Sequence, residues 1–576
     1  MPKDARDTET LAVSVGRSSS AGVKAENQDA VGAVVPSGQA LRLKGVALAV
    51  ADGISTSPRS REAAEATIKG FLSDYYDTSD TWEVKTAART VISATNAWLH
   101  GINRRALHDS PDHGHICTLA ALILKGQRAH LFHVGDSRIW RMPRDGPPEP
   151  LTLDHVTRLS GTSSQLSRAI GLDRDVAVDY RALTLRAGDV YLMTTDGVHD
   201  HWAPEDVAQI LQSAETLDHA AAEIVARALA AGSRDNLTIQ IVRVDAVPEG
   251  ASAPVEPDMP PKILPLPEPG DTLDGFDILR QIHSNNRSHI FLARGPGGQR
   301  VALKMPATET ASSPALVRLF QMEEWIARRV NSPHVVAAAD APEVRSGLYV
   351  VTEFIEGQTL RQWMRDRDTP QIEEVRDIAT QMIRGLRALH RRDMLHQDFR
   401  PENLMIDKAG HVKIIDLGSV RVLGVDEAHQ SQPAPILGTV QYTAPEYFVG
   451  DPAGSYSDQF SLGVTIYEML TGRLPFGAQA ARVSTRRDRA RLTYAPAVDG
   501  TGSLPYWIDD VLRRATHPDH TKRFPVLSEL ETALRVPPTG SRPLGQRALL
   551  ERHPLRFWQA TSAILGIAVL VLIATR

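Results

Sequence analysis

The sequence predicts an α+β chain: two separate globular modules of mixed helix and strand, then one apolar helix towards the C-terminal end. Three observations predict it. The chain has 576 residues, too many for one hydrophobic core and suited to two or three domains. A proline-rich stretch divides it near the middle, and an apolar run without charges stands close to its end. The stretch is residues 246–271, AVPEGASAPVEPDMPPKILPLPEPGD, with 8 prolines. Proline has no amide donor, so this segment reads as a semi-extended linker and not as a helix or central strand. It separates a first module over residues 12–245 from a second over residues 272–535, each large enough for its own core.

The apolar run, Phe557–Ala574 (FWQATSAILGIAVLVLIA), has 18 residues and no charge. As a helix it is about 27 Å long, enough to cross a bilayer's hydrocarbon layer. A buried core helix is the alternative; the absence of charge all round favours the membrane. Arg547, Arg552 and Arg556 lie in the preceding juxtamembrane segment, residues 536–556, and only Thr575 and Arg576 follow. That asymmetry predicts a single-pass anchor in the inner (cytoplasmic) membrane, with both modules in the cytoplasm and Trp558 at the interface. The bilayer is therefore an expected partner, and no sensor domain is expected beyond it. The N-terminus, MPKDARDTET, lacks the apolar core of a signal peptide.

Composition excludes several classes. Hydrophobic residues are 42% and charged residues 23%, which rules out a fully disordered, collagen-like or polytopic membrane protein. Lys+Arg number 64 against 69 Asp+Glu, so no basic field points to nucleic acid. A single cysteine, Cys117, excludes an internal disulfide and a Cys-rich zinc module, and fits a reducing cytosol.

In the first module, LKGVALAVADG, HICTLAALILKG, RAHLFHVGDS, GDVYLMTTDG and NLTIQIVRV read as buried strands ending at polar turns. Two helices are expected between them, in SREAAEATIKGFLSDYY and DTWEVKTAARTVISATNAWLHGINRRAL. Asp52, Asp136, Asp196 and Asp235 stand where a strand meets a turn, and Asp29 in AENQDA is a fifth candidate. A lone aspartate there is usually a turn former. If the five converge, their repulsion calls for hard divalent cations. Composition does not show convergence.

The ordered set ENQDA, VADG, VGDSRIW, LTLDH, LSRAIG, TTDGV and SRDNLT resembles the bacterial metal-dependent Ser/Thr phosphatases of the type 2C (PPM) class, over residues 12–245. The resemblance implies a two-sheet β-sandwich flanked by helices, with two or three Mn²⁺ or Mg²⁺ ions at one end. Asp52 is implied as the bridging ligand, with the Gly53 carbonyl on the second ion and Asp196 and Asp235 completing the first. Asp29 acts directly or through water, and Asp136 with Asp196 matches a third site. A metal-activated water then attacks phosphorus without a covalent intermediate. The sequence departs from the family in three places. Lys24 stands where members carry a phosphate-holding arginine, keeping charge but losing bidentate geometry. Ser55, Thr56 and Ser57 replace Gly-Gly-His, and the segment Val156–Gln165 is much shorter than the usual flap.

In the second module, strand-rich segments (Phe276–Lys304, Leu348–Phe354) precede a mainly helical part. VALK ending at Lys304, HQDFRPEN over His396–Asn403, IIDLG with Asp416, GTVQYTAPE ending at Glu446 and SDQFSLG from Ser457 resemble the protein-kinase motif set. The resemblance implies a bilobal kinase fold binding ATP and Mg²⁺. Lys304 holds the α/β-phosphates and pairs with Glu323 in preference to the adjacent Glu324. Asp398 orients the acceptor hydroxyl and takes its proton. Asn403 and Asp416 bind Mg²⁺, Thr352 is the gatekeeper, and Glu353 and Ile355 supply hinge backbone to adenine. Glu446 pairs with Arg523. Arg400 replaces the lysine typical of Ser/Thr kinases and can still meet the γ-phosphate; with Thr439 it favours Ser/Thr acceptors. Two departures stand out. The nucleotide-covering loop IHSNNRSHIFLAR has no glycine before Gly295, and left-handed Asn285 and Asn286 are expected to substitute for it. Gln397 stands where regulated kinases carry the arginine that reads an activation-loop phosphate, so activity without that phosphate is expected.

These readings make the chain a membrane-tethered bifunctional enzyme acting on phosphoproteins and protein substrates, its own kinase domain among them. The alternative is an active phosphatase gated by a nucleotide-sensing pseudokinase.

Overall fold

The computed structural model describes residues 10–105, 114–143, 146–158, 164–248, 262–342, 344–367, 370–426, 440–498, 504–537, 558–562 and 564. The chain divides into two compact units, Met1–Met259 with Val422–Gln432, and Pro260–Arg421 with Pro433–Arg576. The division falls inside the proline-rich stretch, although Ala246 still pairs with Ala12 as the end of a strand.

The first unit holds two five-stranded sheets. One runs in the order Ala12–Ser20, Leu237–Ala246, Val190–Thr194, Arg138–Met142, Glu149–Pro150. The other runs Asp179–Thr184, Arg128–Val134, Leu119–Lys125, Val46–Ala51, Ala30–Val34. Val46–Ala51 and Leu119–Lys125 are buried along their whole length, which is why they read as continuous apolar runs. Their alternate residues face different layers. Val46, Leu48, Val50, Leu122 and Leu124 pack between the sheets against Tyr191, Met193, Val242 and Val244. Ala47, Ala49 and Ala51 face the helices Ser60–Asp77 and Val84–Arg105, meeting Ala63, Ala64, Ala87 and Ala88. Small residues on both sides let helix and sheet approach closely. On the far side Leu192, Ile239 and Ile241 pack on the helices Pro204–Ser213 and Leu217–Ala230. The result is the expected helix–sheet–sheet–helix sandwich, and every expected strand and helix of this module is present. The short segment after His155 is a hairpin of Val156–Arg158 and Ser164–Leu166.

The second unit opens with an antiparallel sheet in chain order, Thr272–Leu273, Phe276–Ser284, Ser288–Arg294, Arg300–Pro306 and Val350–Glu353, with the helix Pro314–Arg329. A helical part follows, including Leu360–Arg365, Ile372–His390, Tyr506–Ala515 and Leu527–Arg535. At its centre the helix Ser455–Thr471 is buried at every position from Ser457 to Tyr467. Glu446 and Arg523 form the expected ion pair, with Nη1–Oε1 at 2.7 Å and Nη2–Oε2 at 2.8 Å and both side chains fully buried. Ser457 Oγ also donates to Glu446, and Arg523 donates to the carbonyls of Tyr456 and His517. These bonds satisfy much of the polar surface the pair would otherwise leave dry.

Among the described residues no helix is long and apolar enough to cross a membrane. Of the predicted span Phe557–Ala574, residues 558–562 and 564 are described and helical, with Trp558 and Ile564 exposed. The rest of that span, and residues 538–557 before it, lie outside the described residues.

Removing one partner of the Glu446–Arg523 pair leaves a buried charge alone. Arg523→Met is expected to destabilise the second unit by about 3–5 kcal/mol. Urea unfolding followed by a probe in that unit measures it, and a loss below about 1 kcal/mol contradicts the expectation.

Candidate active sites

The sandwich brings the five aspartates together. Each flanks a strand end: Asp52 follows Val46–Ala51, Asp136 follows Arg128–Val134, Asp196 follows Val190–Thr194, Asp235 precedes Leu237–Ala246 and Asp29 precedes Ala30–Val34. Their electrostatics record the convergence. Burial pushes Asp52 well above the usual carboxylate range, and Asp29, Asp196, Asp136 and Asp235 all push it the same way. Burial raises Asp29 to about 7, against hydrogen bonds with Thr238, Thr195 and Asp52 that lower it. Asp136 is likewise raised to about 7 by burial, then by Asp196 and Asp154. Burial and the charge of Asp235 raise Asp196.

The donor set fits hard divalent cations. Asp29 Oδ1 and Asp196 Oδ1 are buried acceptors without a hydrogen-bond partner. Carboxylate oxygens in this number, repelling one another in a dry site, are the ligands Mg²⁺ and Mn²⁺ take. Gly53, at the turn after Asp52, has no room for a side chain: a Cβ would lie 2.6 Å from the Ser60 carbonyl oxygen. Lys24, expected to hold substrate phosphate, reaches the same place. Its Nζ pairs with Asp235 and donates to Ser55 Oγ at 2.7 Å.

Several positioning residues carried no role in the sequence reading. Asn236, next to Asp235, accepts the Gln28 amide at 2.9 Å and donates to the carbonyls of Ala21 and Glu26. It thereby ties the Asp29 turn to the Asp235 turn. Thr195 Oγ1 donates to Asp29 Oδ2 at 2.9 Å. In LTLDH, Asp154 receives two bonds from Arg138, at 2.8 and 2.6 Å. His155 Nδ1 accepts the Gly135 amide at 3.1 Å, so its Nε2 carries the proton and donates to Asp179 at 3.0 Å. His133, His155 and Asp179 offer ligand atoms within 4.8 Å of one another, but this tautomer leaves His155 no lone pair for a metal. His155 is a strut beneath the Gly135–Asp136 turn. The motif SRDN and the pair Asp154-His155 were the signals that could have found these residues.

The second unit assembles the other set. Lys304 Nζ donates to both Glu323 oxygens at 2.8 Å and to Asp416 Oδ1 at 3.1 Å. Burial alone would lower the Lys304 pKa, but Asp416 and Glu323 outweigh it and raise it. Burial would raise Asp416, yet Lys304 and the Gly418 amide hold it down at about 2. The lysine is a fixed cation and Asp416 a fixed anion. Glu324 points elsewhere, to Arg328 and Arg345, so Glu323 is the partner as expected.

Asp398 is held by Asn403, whose Nδ2 donates to its carbonyl oxygen at 2.8 Å and to Oδ2 at 3.0 Å. The same loop places Gln397 at φ 65, a left-handed conformation costly for a side-chain-bearing residue. Asp458 holds it there, accepting the amides of His396 at 2.8 Å and Gln397 at 3.0 Å. Arg400 Nε donates to Glu402 at 2.8 Å, so the side chain expected at the γ-phosphate leans on a carboxylate of its own loop. Glu353 commits its amide to the Ala337 carbonyl and its side chain to Lys413. Ile355, expected beside it to supply backbone to adenine, is buried.

The glycine-free loop corrects one expectation. Asn285 and Asn286 are not left-handed; among the described residues only Asp274, Asp393 and Gln397 combine a side chain with positive φ. Instead Asn285 Oδ1 accepts the amides of Arg287 at 2.9 Å and Ser288 at 2.8 Å. A side-chain oxygen closes the turn where glycine would have supplied conformational freedom.

Residues 16–237 match the family described as protein phosphatase 2C, and residues 277–533 the family described as protein kinase domain. The chain is 27% identical over 262 residues to serine/threonine-protein kinase PrkC of Bacillus subtilis, covering 45% of this chain and 40% of PrkC. It is 31% identical over 214 residues to probable serine/threonine-protein kinase pknA2 of Bifidobacterium longum, covering 36% of this chain and 28% of that one. It thus spans under half the length of these curated relatives. Among solved structures, the catalytic domain of serine threonine protein phosphatase PstP with 2 manganese ions is similar to 41% of this chain and all of that one, with TM-score 0.33 and 26% identity. PppA of Pseudomonas aeruginosa is similar over 41% of this chain and 99% of its own, with TM-score 0.35 and 20% identity.

The carboxylate cluster predicts opposed effects of one substitution. Asp52→Asn removes a charge the other four repel, so the metal-free chain is expected to gain about 1–2 kcal/mol, a rise of about 2–8 °C in the melting midpoint of that unit. The same variant is expected to lose the further rise that Mn²⁺ produces in the unsubstituted chain. Thermal melts in chelator and in Mn²⁺ check both; a lower midpoint in chelator contradicts the repulsion.

Proposed function

We propose, for a chain that belongs to the protein phosphatase 2C family over residues 16–237 and to the protein kinase family over residues 277–533, that the two halves catalyse opposed reactions on protein Ser/Thr side chains. The first half removes phosphate from phosphoproteins. The second transfers it from ATP. The observation that carries the first is the cluster of repelling carboxylates with the unpartnered oxygens of Asp29 and Asp196. Asp29, Asp52, Asp136, Asp196, Asp235 and the Gly53 carbonyl would hold divalent cations, which would supply a water activated near neutral pH. Lys24 attracts the substrate phosphate to the edge of that cluster. Asn236, Thr195 and His155 keep the acidic turns in register.

The assembled Lys304–Glu323–Asp416 group carries the second. Phosphoryl transfer needs positioning and charge neutralisation more than covalent chemistry. Lys304 would offer its charge to the nucleotide phosphates, and Asp416 and Asn403 would hold Mg²⁺. Asp398, steadied by Asn403, orients the acceptor hydroxyl and takes its proton. Assembly of this group favours a working kinase over a nucleotide sensor. Ser419 and Thr443 are buried, consistent with activity that does not wait for their phosphorylation.

Two features extend the reading. Joining both activities in one chain raises the concentration of one site near the other, so the kinase half is itself a candidate substrate of the phosphatase half. The uncharged Phe557–Ala574, preceded by Arg547, Arg552 and Arg556 among others, supports an anchor in the cytoplasmic membrane with both halves on the cytoplasmic side.

The test uses the full chain with labelled ATP and Mg²⁺ or Mn²⁺. Both compared chains carry Asp52→Asn and Asp196→Asn so that label is not erased. Label is expected on the chain or an added protein substrate, and Lys304→Met is expected to reduce it at least about a hundredfold. Equal labelling of the two, or none in either, refutes the kinase reading. The chain without the aspartate substitutions is expected to hydrolyse p-nitrophenyl phosphate only with Mn²⁺ or Mg²⁺, and metal-independent or absent hydrolysis refutes the phosphatase reading. Alanine at Ser419, Ser431, Thr439 or Thr443, one at a time, is expected to leave kinase activity within about threefold in variants that still fold and bind ATP. Loss in any such variant, rescued by an acidic residue, overturns phosphate-independent activity.

A further inference from the structure

Gln397 leaves the kinase half without the guanidinium that would pin its activation segment through a phosphate. Another guanidinium sits at the base of that segment. Arg361 lies in the short helix Leu360–Arg365, far in sequence from the groups it touches. Its Nε donates to Glu402 at 2.8 Å and its Nη1 to Glu468 at 2.8 Å. Its Nη2 donates to Glu468 at 3.3 Å and to the Tyr442 hydroxyl. Tyr442 in turn donates to Glu468 at 2.5 Å.

The three partners come from three parts of the catalytic apparatus. Glu402 is next to Asn403, which holds Asp398, and also accepts Arg400. Glu468 belongs to the central helix Ser455–Thr471. Tyr442 belongs to GTVQYTAPE and is 4% exposed, so the hydroxyl sits in a largely dry place where an unmade bond is costly. The Tyr442 carbonyl also accepts Ser461 Oγ at 2.8 Å, which holds its backbone to the same helix. Every nitrogen of one planar fork is engaged, and a lysine cannot reproduce this. The charges match as well. Burial would raise Glu402, but its bonds to Arg400 and Arg361 hold it down at about 2, so the carboxylate remains ionised beside them.

We propose that Arg361 is a positioning residue that joins the base of the activation segment at Tyr442 to the catalytic loop at Glu402 and to the central helix at Glu468, holding the acceptor side of the kinase site in order without a phosphate. The inference rests on the kinase reading above and adds the group that replaces the phosphate-reading arginine. Arg361 touches neither Lys304 nor Asp416, so its effect falls on the protein acceptor and not on the nucleotide.

The test compares the full chain with Arg361→Ala, Arg361→Lys and Tyr442→Phe. With the alanine, turnover of a protein acceptor at saturating ATP is expected to fall at least about tenfold, with a raised acceptor KM. The Kd for Mg²⁺–ADP is expected to stay within about twofold. Hydrolysis of p-nitrophenyl phosphate by the other half is the fold control and is expected to be unchanged. The lysine, which keeps the charge, is expected to restore part of the loss, and Tyr442→Phe to reproduce part of it. Amide hydrogen exchange of residues 440–449 is expected to quicken in Arg361→Ala. Wild-type turnover and unchanged exchange in Arg361→Ala overturn the proposal. So does loss of ADP binding in parallel with turnover, since that marks general disruption. If the unsubstituted chain transfers no phosphate, the kinase reading fails, and the exchange measurement still decides the role of Arg361.

Discussion

Carboxylates gathered at one end of a sandwich, most of them largely withdrawn from water, are the constraint on which the first unit depends. Burial raises Asp29, Asp52, Asp136 and Asp196, and the charges of the other four push Asp52 further the same way. A fold does not tolerate such an arrangement for stability alone, because the same positions filled by amides would repel less. The sandwich supplies the rigidity that imposes it. Strands of the two sheets begin or end at these aspartates, and Asn236, Thr195 and His155 fasten the turns that carry them. The repulsion is thus stored in a frame stiff enough to keep it, and it is of the kind that hard divalent cations relieve.

The second unit handles charge in the opposite manner. Its buried charges come already partnered: Lys304 with Glu323 and Asp416, Arg523 with Glu446, Asp458 with two backbone amides, Arg361 with Glu402 and Glu468. Phosphoryl transfer from a nucleotide needs fixed cations and anions around a mobile substrate, and paired groups hold their charge in a buried setting where lone ones would neutralise. One half therefore gathers carboxylates that oppose one another, whereas the other has its central cation built into the chain.

The two departures in the kinase half have local physical answers. Asn285 accepts two backbone amides and so closes a turn without glycine. Gln397 keeps the left-handed backbone of its position because Asp458 holds the adjoining amides, even though its side chain has no charge to read a phosphate. In each case a polar side chain takes over a task usually left to a special residue type.

Strand and helix positions in the first unit were legible because buried strands leave continuous apolar runs and the intervening helices leave periodic ones. The five aspartates, Lys304, Asp398, Asn403 and Asp416 were legible from the order and spacing of motifs, as were the pairings of Glu323 and Arg523. Convergence of the aspartates was not, since strand order across two sheets brings together residues as distant as Asp29 and Asp235. Arg361 was invisible for the same reason: its sequence neighbourhood is an ordinary polar helix, and its partners lie 41, 81 and 107 positions away. The turn at Asn285 differs from expectation because asparagine can close a turn through its backbone or its side-chain oxygen, and only the folded loop decides between them. Chain order alone thus determined which residue types are available for each chemistry. Tertiary structure decided which charges face one another, because electrostatic coupling depends on distance and burial, and neither is written along the chain.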